Sequence, residues 1–304
     1  MVACHFSFQT FGDMKIDYLV PMVFPFDPEW QRTWRRACGA MLIDDAQLCA
    51  RYRTWCTEQL LIECVQRFMP WLNQIIIILA GPSQVQPWMA EMGVRVVFHA
   101  DFIPQEYLPT FNSRTIEMFM HRIEGLSDTF IYGNDDMFPL SPLQPDDFFR
   151  DGLPCLEMTA RQYPTPPNQF HMVCAHGQDM VADVLGVASP SCWLHTGHSL
   201  APILKCTCEL LWQQRAGELK ASITPFRSQR NFNQYIYLWH QYMSGQYAAH
   251  VPPRQYVSTK DGADAVRQAI REAEGILCIN DSDHTNDIRE FSQIAQQEIK
   301  KRLA

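Results

Sequence analysis

The sequence predicts an α/β fold whose layered, largely parallel sheet has helices on both faces. The continuous apolar run at residues 75–79 favours a strand that is covered on both sides. Over residues 16–133, strand-like and helical patterns alternate in the order strand, helix, strand, strand, helix, strand. This alternation is typical of parallel sheets with crossover helices, which bind ligands beyond the carboxyl ends of their strands.

The composition excludes several classes of protein. Of the 304 residues, 47% are hydrophobic and 19% are charged, as in a globular protein with a sizeable core. The net charge of −8 argues against non-specific nucleic-acid binding and against a basic membrane anchor. We expect neither a signal peptide nor a membrane-spanning helix, because no apolar run approaches the ~20 residues that a bilayer requires. The 11 irregularly spaced cysteines predict reduced thiols.

The first strand is expected at residues 16–23, after a tail at residues 1–13. Asp27 precedes a proline, so it can cap a helix that begins at the next residue. An amphipathic helix follows at residues 56–69, and another strand at residues 94–98. Together with the apolar run, these segments form the first half of the predicted sheet.

Residues 107–138 predict a cation site beside an anion site. The apolar strand 129–133 runs directly into Asn134, Asp135 and Asp136, and paired carboxylates at a strand end suit a hard cation. Asn112 or Ser113 can cap a preceding helix, whose N-terminus offers amide donors to an anion. A diphosphate with its metal ion would match this combination.

The sequence predicts three parts after the tail. Residues 14–150 are expected to form the α/β core, which contains the predicted cation and anion sites. Residues 151–192 are rich in proline and predict an irregular excursion from this core. Residues 193–304 are expected to be mainly helical and to complete the active site. The aromatic residues at 232, 235, 239 and 242 share one helical face, which predicts a core helix.

The stretch from Tyr107 to Phe138 resembles the second conserved region of the Stealth family. This family contains bacterial capsular polysaccharide phosphotransferases and the animal N-acetylglucosamine-1-phosphotransferase. The resemblance implies a Rossmann-like, glycosyltransferase-A-like sheet. It also implies transfer of a sugar-1-phosphate, such as N-acetylhexosamine-1-phosphate, from UDP-GlcNAc or a related nucleotide sugar to a glycan hydroxyl. UMP would be released, with Mg²⁺ or Mn²⁺ as cofactor.

Other segments resemble the remaining Stealth regions. Residues 16–30 match the first region at both ends but depart from it at residues 21–26, where its first acidic position is lost. His198, or its rival His195, matches the third region. Phe226-Arg227-Ser228 and Cys278-Ile279-Asn280-Asp281 then resemble the "fRs" and "CIND" elements, in the expected order.

The resemblance assigns roles to these residues. His198 is expected to act as general base, and Arg227 to hold phosphate oxygens. The metal ligands would be Asp135 and Asp136; Asp136 is also grouped with the catalytic residues, as are Asp27 and Asp281. Glu117 and His121 are four residues apart on one predicted helix, so they share a face that can point towards the site. The expected substrate-binding residues are Asn112, Ser113, Glu117, His121, Arg122, Asn134 and Asn280.

Two alternatives remain open. A metal-dependent glycosyltransferase would use the same donor and a similar carboxylate pair, but would release UDP. A degenerate, non-catalytic protein that binds nucleotide sugars or glycans would account for the altered first region. The resemblance favours a bacterial cytoplasmic enzyme, either free or peripheral to the inner membrane, and leaves the oligomeric state open.

Overall fold

The computed structural model describes residues 14–39, 52–282 and 288–304. The strands are β1 Ile16–Pro21, β2 Gln74–Leu79, β3 Arg95–Phe98, β4 Thr129–Tyr132, β5 Met137–Pro139, β6 Phe149–Arg150, β7 Leu153–Pro154, β8 Thr159–Arg161, β9 Trp193–His195, β10 Ala201–Leu204, β11 Arg254–Ser258 and β12 Ile276–Asn280. The helices are α1 Pro28–Cys38, α2 Glu58–Phe68, α3 Pro87–Glu91, α4 His99–Phe102, α5 Ser113–Phe119, α6 Gln169–Leu185, α7 Lys205–Ser222, α8 Tyr235–Met243, α9 Ala263–Glu272 and α10 Arg289–Leu303. The predicted tail at residues 1–13 lies outside the described residues.

The main sheet has five strands in the order β10-β4-β1-β2-β3. β1 pairs in parallel with both β2 and β4, β2 pairs in parallel with β3, and β10 is antiparallel to β4. The carboxyl ends of the four parallel strands therefore share one edge, where the connecting segments can bring side chains together. The predicted α/β fold with a mixed, mainly parallel sheet is confirmed.

The sheet is buried on both faces, and alternate residues of β2 show why. Ile77 and Leu79 belong to a core that contains α2, α9 and α10, whereas Ile76 and Ile78 belong to a second core with α6, α7 and α8. All four side chains are fully buried. A strand that packs against helices on both sides needs no polar residue, which explains its continuous apolar sequence.

A smaller sheet has the order β11-β12-β5, with β12 parallel to β11 and antiparallel to β5. Only a short turn separates β5 from β4 of the main sheet. This turn contains the paired carboxylates, so they lie where the two sheets meet. The C-terminal part of the chain reaches the same place through β12.

Two segments differ from the sequence predictions. Helix α6, 17 residues long, lies within the segment that was expected to be irregular. Its sequence lies between Pro167 and Pro190; Asn168 caps its start, and Gly186, in a left-handed conformation, caps its end. Residues 201–204, expected to be helical, instead form β10 because they pair with the edge strand β4. The boundaries between the predicted domains stay a prediction.

None of the helices in the described residues is both long and apolar enough to cross a membrane.

Candidate active site

A cavity of about 1070 Å³ opens at the carboxyl edge of the main sheet. Pro21, Ala80, His99 and Asn134 line it, and they stand at or just beyond the ends of β1, β2, β3 and β4 respectively. The smaller sheet contributes further lining residues from β11 and β12. The cavity therefore lies where the fold class places ligands, between the two sheets.

The turn between β4 and β5 presents Asp135 to this cavity. Gly133 begins the turn, and its backbone N–H donates to the Leu19 carbonyl at 2.9 Å, which continues the pairing with β1. Although the Asp135 side chain is open to the cavity, surrounding protein raises its pKa to about 7, reinforced by the charges of Asp136 and Glu58. A nearby cation would stabilise the charged form of this carboxyl group against burial and against the neighbouring negative charges.

Asp136 contacts two residues from distant segments. Its Oδ2 atom lies 3.6 Å from Nε2 of His198 and accepts a weak hydrogen bond from Sγ of Cys278 at 3.5 Å. Burial, the largest single effect, lowers the pKa of His198, but the hydrogen bond and charge of Asp136 outweigh it, so the net pKa is raised. The two predicted catalytic residues, Asp136 and His198, are therefore together in the structure.

His195, the rival of His198, also lines the cavity, but no carboxylate among the described residues pairs with it. Burial and the positive charges of Arg161, Arg254 and His198 lower the pKa of His195 to about 4. Its Nδ1 atom accepts from the Gly197 backbone N–H at 3.3 Å. These surroundings favour a neutral imidazole, whereas His198 has the acidic partner expected of a general base.

Arg227 extends into the cavity from the loop after α7. Its Nη2 atom donates to Oγ of Ser113 at 2.9 Å, at the first residue of α5. The Arg227 side chain is exposed, and no carboxylate pairs with it in the described parts of the chain. A planar guanidinium in this position can donate to phosphate oxygens.

Asn112 has a structural role in this arrangement. Its Oδ1 atom caps α5 by accepting from the backbone of Arg114. Its Nδ2 atom donates to the Thr224 carbonyl and to Asn231 Oδ1, both at 3.1 Å. The side chain is fully buried and does not line the cavity, so it positions the Arg227 loop rather than contacting a ligand.

Asp281 also reaches the cavity, and it is held by Arg53 and Trp55. Arg53 donates through Nε and Nη2 to both carboxylate oxygens of Asp281, and the Trp55 indole donates at 3.1 Å. This pairing joins the segment before α2 to the loop after β12. Asn134 and Asn280 line the cavity as well, and their role in substrate binding stays a prediction.

Four other predicted site residues do not line the cavity. Asp27 caps α1 through the backbone of Glu29 and Trp30, and it also accepts from Ser83 at 2.7 Å. Because these hydrogen bonds favour its charged form, the pKa of Asp27 is lowered, although its slight burial acts in the opposite direction as the largest single effect. Glu117, His121 and Arg122 are the other three, and they lie beyond the end or on the buried side of α5.

The expectation that Glu117 and His121 point towards the site on a common helix face is wrong. Helix α5 ends at Phe119 and continues as a 3₁₀ turn at Met120–Arg122, which changes the direction of the later side chains. Glu117 is buried and accepts from the Gln234 backbone N–H at 2.7 Å. Arg122 stacks on Phe119 and Trp212.

Several cavity residues carry no signal in the sequence that distinguishes them from surface residues. They come from the start of α2 and the segment before it, from the proline-rich segment, and from β11 and the turn after it: Arg53, Trp55, Glu58, Arg161, Asn168, Phe170, Arg254, Tyr256 and Lys260. Their place in the cavity can be recognised only when the second sheet is packed against the first.

The donor atoms in the turn fit a divalent cation. Oδ1 of Asp136 is buried and has no hydrogen-bond partner among the described residues, and the Asp135 carboxyl group is open to the cavity. Such oxygen donors suit Mg²⁺ or Mn²⁺. Donor atoms of Asp136, His198 and Cys278 also lie within 4.8 Å of one another, but a thiol suits a softer metal than Mg²⁺.

Comparison with known proteins places this site in a wider group. Residues 51–155 match the model of Stealth protein CR2, conserved region 2. The chain is 28% identical to the capsular polysaccharide phosphotransferase WcwK of Streptococcus pneumoniae, over 94% of this chain and 95% of that protein. It is also 28% identical to the receptor polysaccharide phosphotransferase WefC of Streptococcus gordonii, over 90% and 92% of the two chains. A crystal structure of glucosyl-3-phosphoglycerate synthase from Mycobacterium tuberculosis aligns with a TM-score of 0.40 at 10% identity, over 96% of this chain and 81% of that one.

Proposed function

We propose that this Stealth-family chain transfers a sugar-1-phosphate from a nucleotide diphosphate sugar to a glycan hydroxyl during synthesis of a capsular or surface polysaccharide. The full-length likeness to bacterial polysaccharide phosphotransferases supports this activity. The observation that carries the proposal is the contact between Asp136 and His198 in the cavity. It joins a predicted metal ligand to a predicted general base. UDP-N-acetylhexosamine is the proposed donor, and UMP the proposed nucleotide product.

In the proposed reaction, the acceptor oxygen forms a bond with the sugar-proximal phosphorus. The phosphoanhydride bond breaks, UMP leaves with the bonding electron pair, and a phosphodiester remains. The Nε2–H side of His198 faces Asp136, so the acceptor proton passes to the other ring nitrogen, Nδ1. Arg227 donates to non-bridging phosphate oxygens, and such positioning of charge is the main source of catalysis in phosphoryl transfer.

The two carboxylate oxygens of Asp136 have different proposed partners: the general base, His198, and the metal ion. Oδ2 is directed at His198, whereas Oδ1 has no partner among the described residues and can join Asp135 in holding a cation. Mg²⁺ or Mn²⁺, when bound there, would neutralise the diphosphate and polarise it. Arg53 and Trp55 hold the Asp281 carboxylate at the cavity wall, where it can orient the sugar or the groups around it.

The nucleotide product tests this proposal. The protein is incubated with UDP-N-acetylhexosamines, Mg²⁺ or Mn²⁺ and a panel of glycan acceptors, and the released nucleotides are separated. UMP release that requires the metal, stops with EDTA and is lost in Asp135→Asn is the expected result. UDP release would instead identify a glycosyltransferase. Binding of the donor without turnover across the panel would identify the degenerate binding protein that the altered residues 21–26 suggest.

A further inference from the structure

Beyond His198, the cavity changes from acidic to basic. The ring of Tyr256 lies 6.2 Å from the ring of His198, and Tyr256 lines the same cavity. Tyr256 and Arg254 are two residues apart on β11, so their side chains share one face of that strand. A continuous wall therefore leads from Asp136 through His198 and Tyr256 to a guanidinium group.

Arg254 is held in this wall by the segment that contains His195. Its Nη1 atom donates to the Thr196 carbonyl at 3.0 Å. Its guanidinium group also packs against Gly197, where an added Cβ would lie 2.9 Å from Cζ of Arg254. Gly197 has a φ of +77°, so glycine serves both the backbone conformation and this close approach. Glu157, which does not line the cavity, pairs with Arg254 at 3.3 Å.

Arg161 supplies a second guanidinium group at the same end. It stands on β8, opposite Trp193 in the antiparallel β8–β9 pair, while Thr159 stands opposite His195. Arg161 and His195 therefore project from the same face of this two-stranded sheet, and both line the cavity. The side chain of Arg161 is exposed, and within the described parts of the chain no carboxylate pairs with it.

We propose that Arg161 and Arg254 form a subsite for an anionic group of the acceptor, a phosphate or a carboxylate close to the reacting hydroxyl. This inference rests on the proposed function, because the acceptor must approach from the side of its general base, His198. The donor diphosphate belongs with Arg227 and the carboxylate turn, so the basic end is left for the acceptor. The aromatic rings of Phe170 and Tyr256 line the same part of the cavity and can stack on a sugar.

Binding of small sugars tests the subsite without turnover. With UMP present at saturation, titration calorimetry measures the affinity for methyl glucoside, glucose 6-phosphate and glucuronate. Both anionic sugars are expected to bind about ten- to a hundredfold more tightly than methyl glucoside, the range of a charge-assisted hydrogen bond. If only glucose 6-phosphate binds more tightly than methyl glucoside, the subsite is specific for phosphate. If only glucuronate does so, the subsite is specific for carboxylate.

Arg161→Gln should remove most of this preference and leave UMP affinity unchanged, because Arg161 makes no structural ion pair in the described residues. Arg67→Gln, on an exposed helix face outside the cavity, is the matched control and should retain the preference. Arg254→Lys, with folding checked by its melting temperature, gives a second test. An anionic preference that survives both Arg161→Gln and Arg254→Lys would overturn the subsite, as would equal binding of all three sugars. The nucleotide-product assay is separate, so its failure would count against the proposed function and not against anion binding.

Discussion

His198 Nε2 lies 3.6 Å from Asp136 Oδ2, and this contact connects the loop before β10 to the turn between the two sheets. Both rings line one cavity, but within the described part of the chain His198 pairs with a carboxylate and His195 does not. The sequence does not decide which of the two histidines is the general base. Their different surroundings favour His198, and substitution of each residue tests this.

His198→Gln is expected to reduce kcat about 10²–10⁴-fold, the usual contribution of a general base, with little change in the KM for the donor. His195→Gln should reduce kcat by less than about tenfold, because His195 has no acidic partner among the residues that the structure describes. Steady-state release of UMP measures both. Equal losses in the two variants, or a larger loss for His195→Gln, would reverse the assignment.

Gly133→Ala is expected to destabilise the protein by about 1–3 kcal/mol, as overpacking does. An added Cβ would lie 2.5 Å from Oη of Tyr18 and 2.8 Å from Cδ2 of Leu200, both in the buried core under the turn. Urea unfolding at constant m-value gives the change in free energy of unfolding.

Gly217→Ala is the matched control for that substitution. Gly217 is exposed within helix α7, and a Cβ added there meets nothing within 4 Å. Alanine should therefore stabilise the helix by about 0.5–1 kcal/mol. An unchanged free energy of unfolding in Gly133→Ala would contradict the prediction, because it would mean that Tyr18 and Leu200 can move aside without loss of stability.

Asn112→Ala is expected to lower the free energy of unfolding by about 1–3 kcal/mol, because it removes a helix cap and leaves buried polar partners unsatisfied. Ser113→Ala, one residue later, should change stability by less than about 0.5 kcal/mol, since the hydroxyl of Ser113 accepts its hydrogen bond from the exposed side chain of Arg227. Thermal and urea unfolding compare the two. A stable Asn112→Ala variant with a raised KM for the donor would restore its predicted role in substrate binding.

Glu298 predicts a dependence of stability on pH. Hydrogen bonds from Arg271 and Lys301 lower the pKa of Glu298 from 4.5 to about 2. The bond from Arg271 connects α9 to α10, whereas Lys301 lies in α10 together with Glu298. Because the folded pKa lies below the unfolded one, this stabilisation is complete above pH 4.5 and is lost as the pH falls towards 2. Glu298→Gln should therefore be less stable than the parent at pH 7, by a margin that narrows below pH 4.5.

Urea midpoints of the parent and of Glu298→Gln between pH 7 and pH 3.5 measure that margin. Glu272→Gln, on an exposed position of α9, serves as the control for a lost surface carboxylate and should show no such narrowing. A margin that stays constant across this range would show that the pair is not formed in solution.

Much of this arrangement could be predicted from the sequence, because it depends on local patterns. The apolar run of β2 indicates a strand buried on both faces, and the strand that ends at Asn134 indicates polar groups at the carboxyl edge of the sheet. The core helix α8 follows from its aromatic spacing, and Phe232, Tyr235 and Trp239 are indeed buried. Local periodicity is enough to predict a strand or helix whose burial is determined by its own sequence pattern.

The rest depends on how distant elements pack, which no local pattern records. The pairing of Arg53 with Asp281 joins segments from opposite ends of the chain. The basic end of the cavity forms where β11 meets the two-stranded β8–β9 sheet, which brings Arg254 beside the segment after His195. The burial of Glu117 could not be predicted, because helical spacing does not show that the distant backbone of Gln234 packs against it.

The place of β12 has a consequence for biosynthesis. Its Ile279 backbone N–H donates to the Asp136 carbonyl at 2.9 Å, and Asp281 just beyond it meets Arg53. A nascent chain that has emerged only as far as α9 already contains His198 and Arg227, but the turn at Asp136 still lacks the strand that covers it. The turn that contains Asp136 therefore gains its last neighbours only after residue 281 has been synthesised.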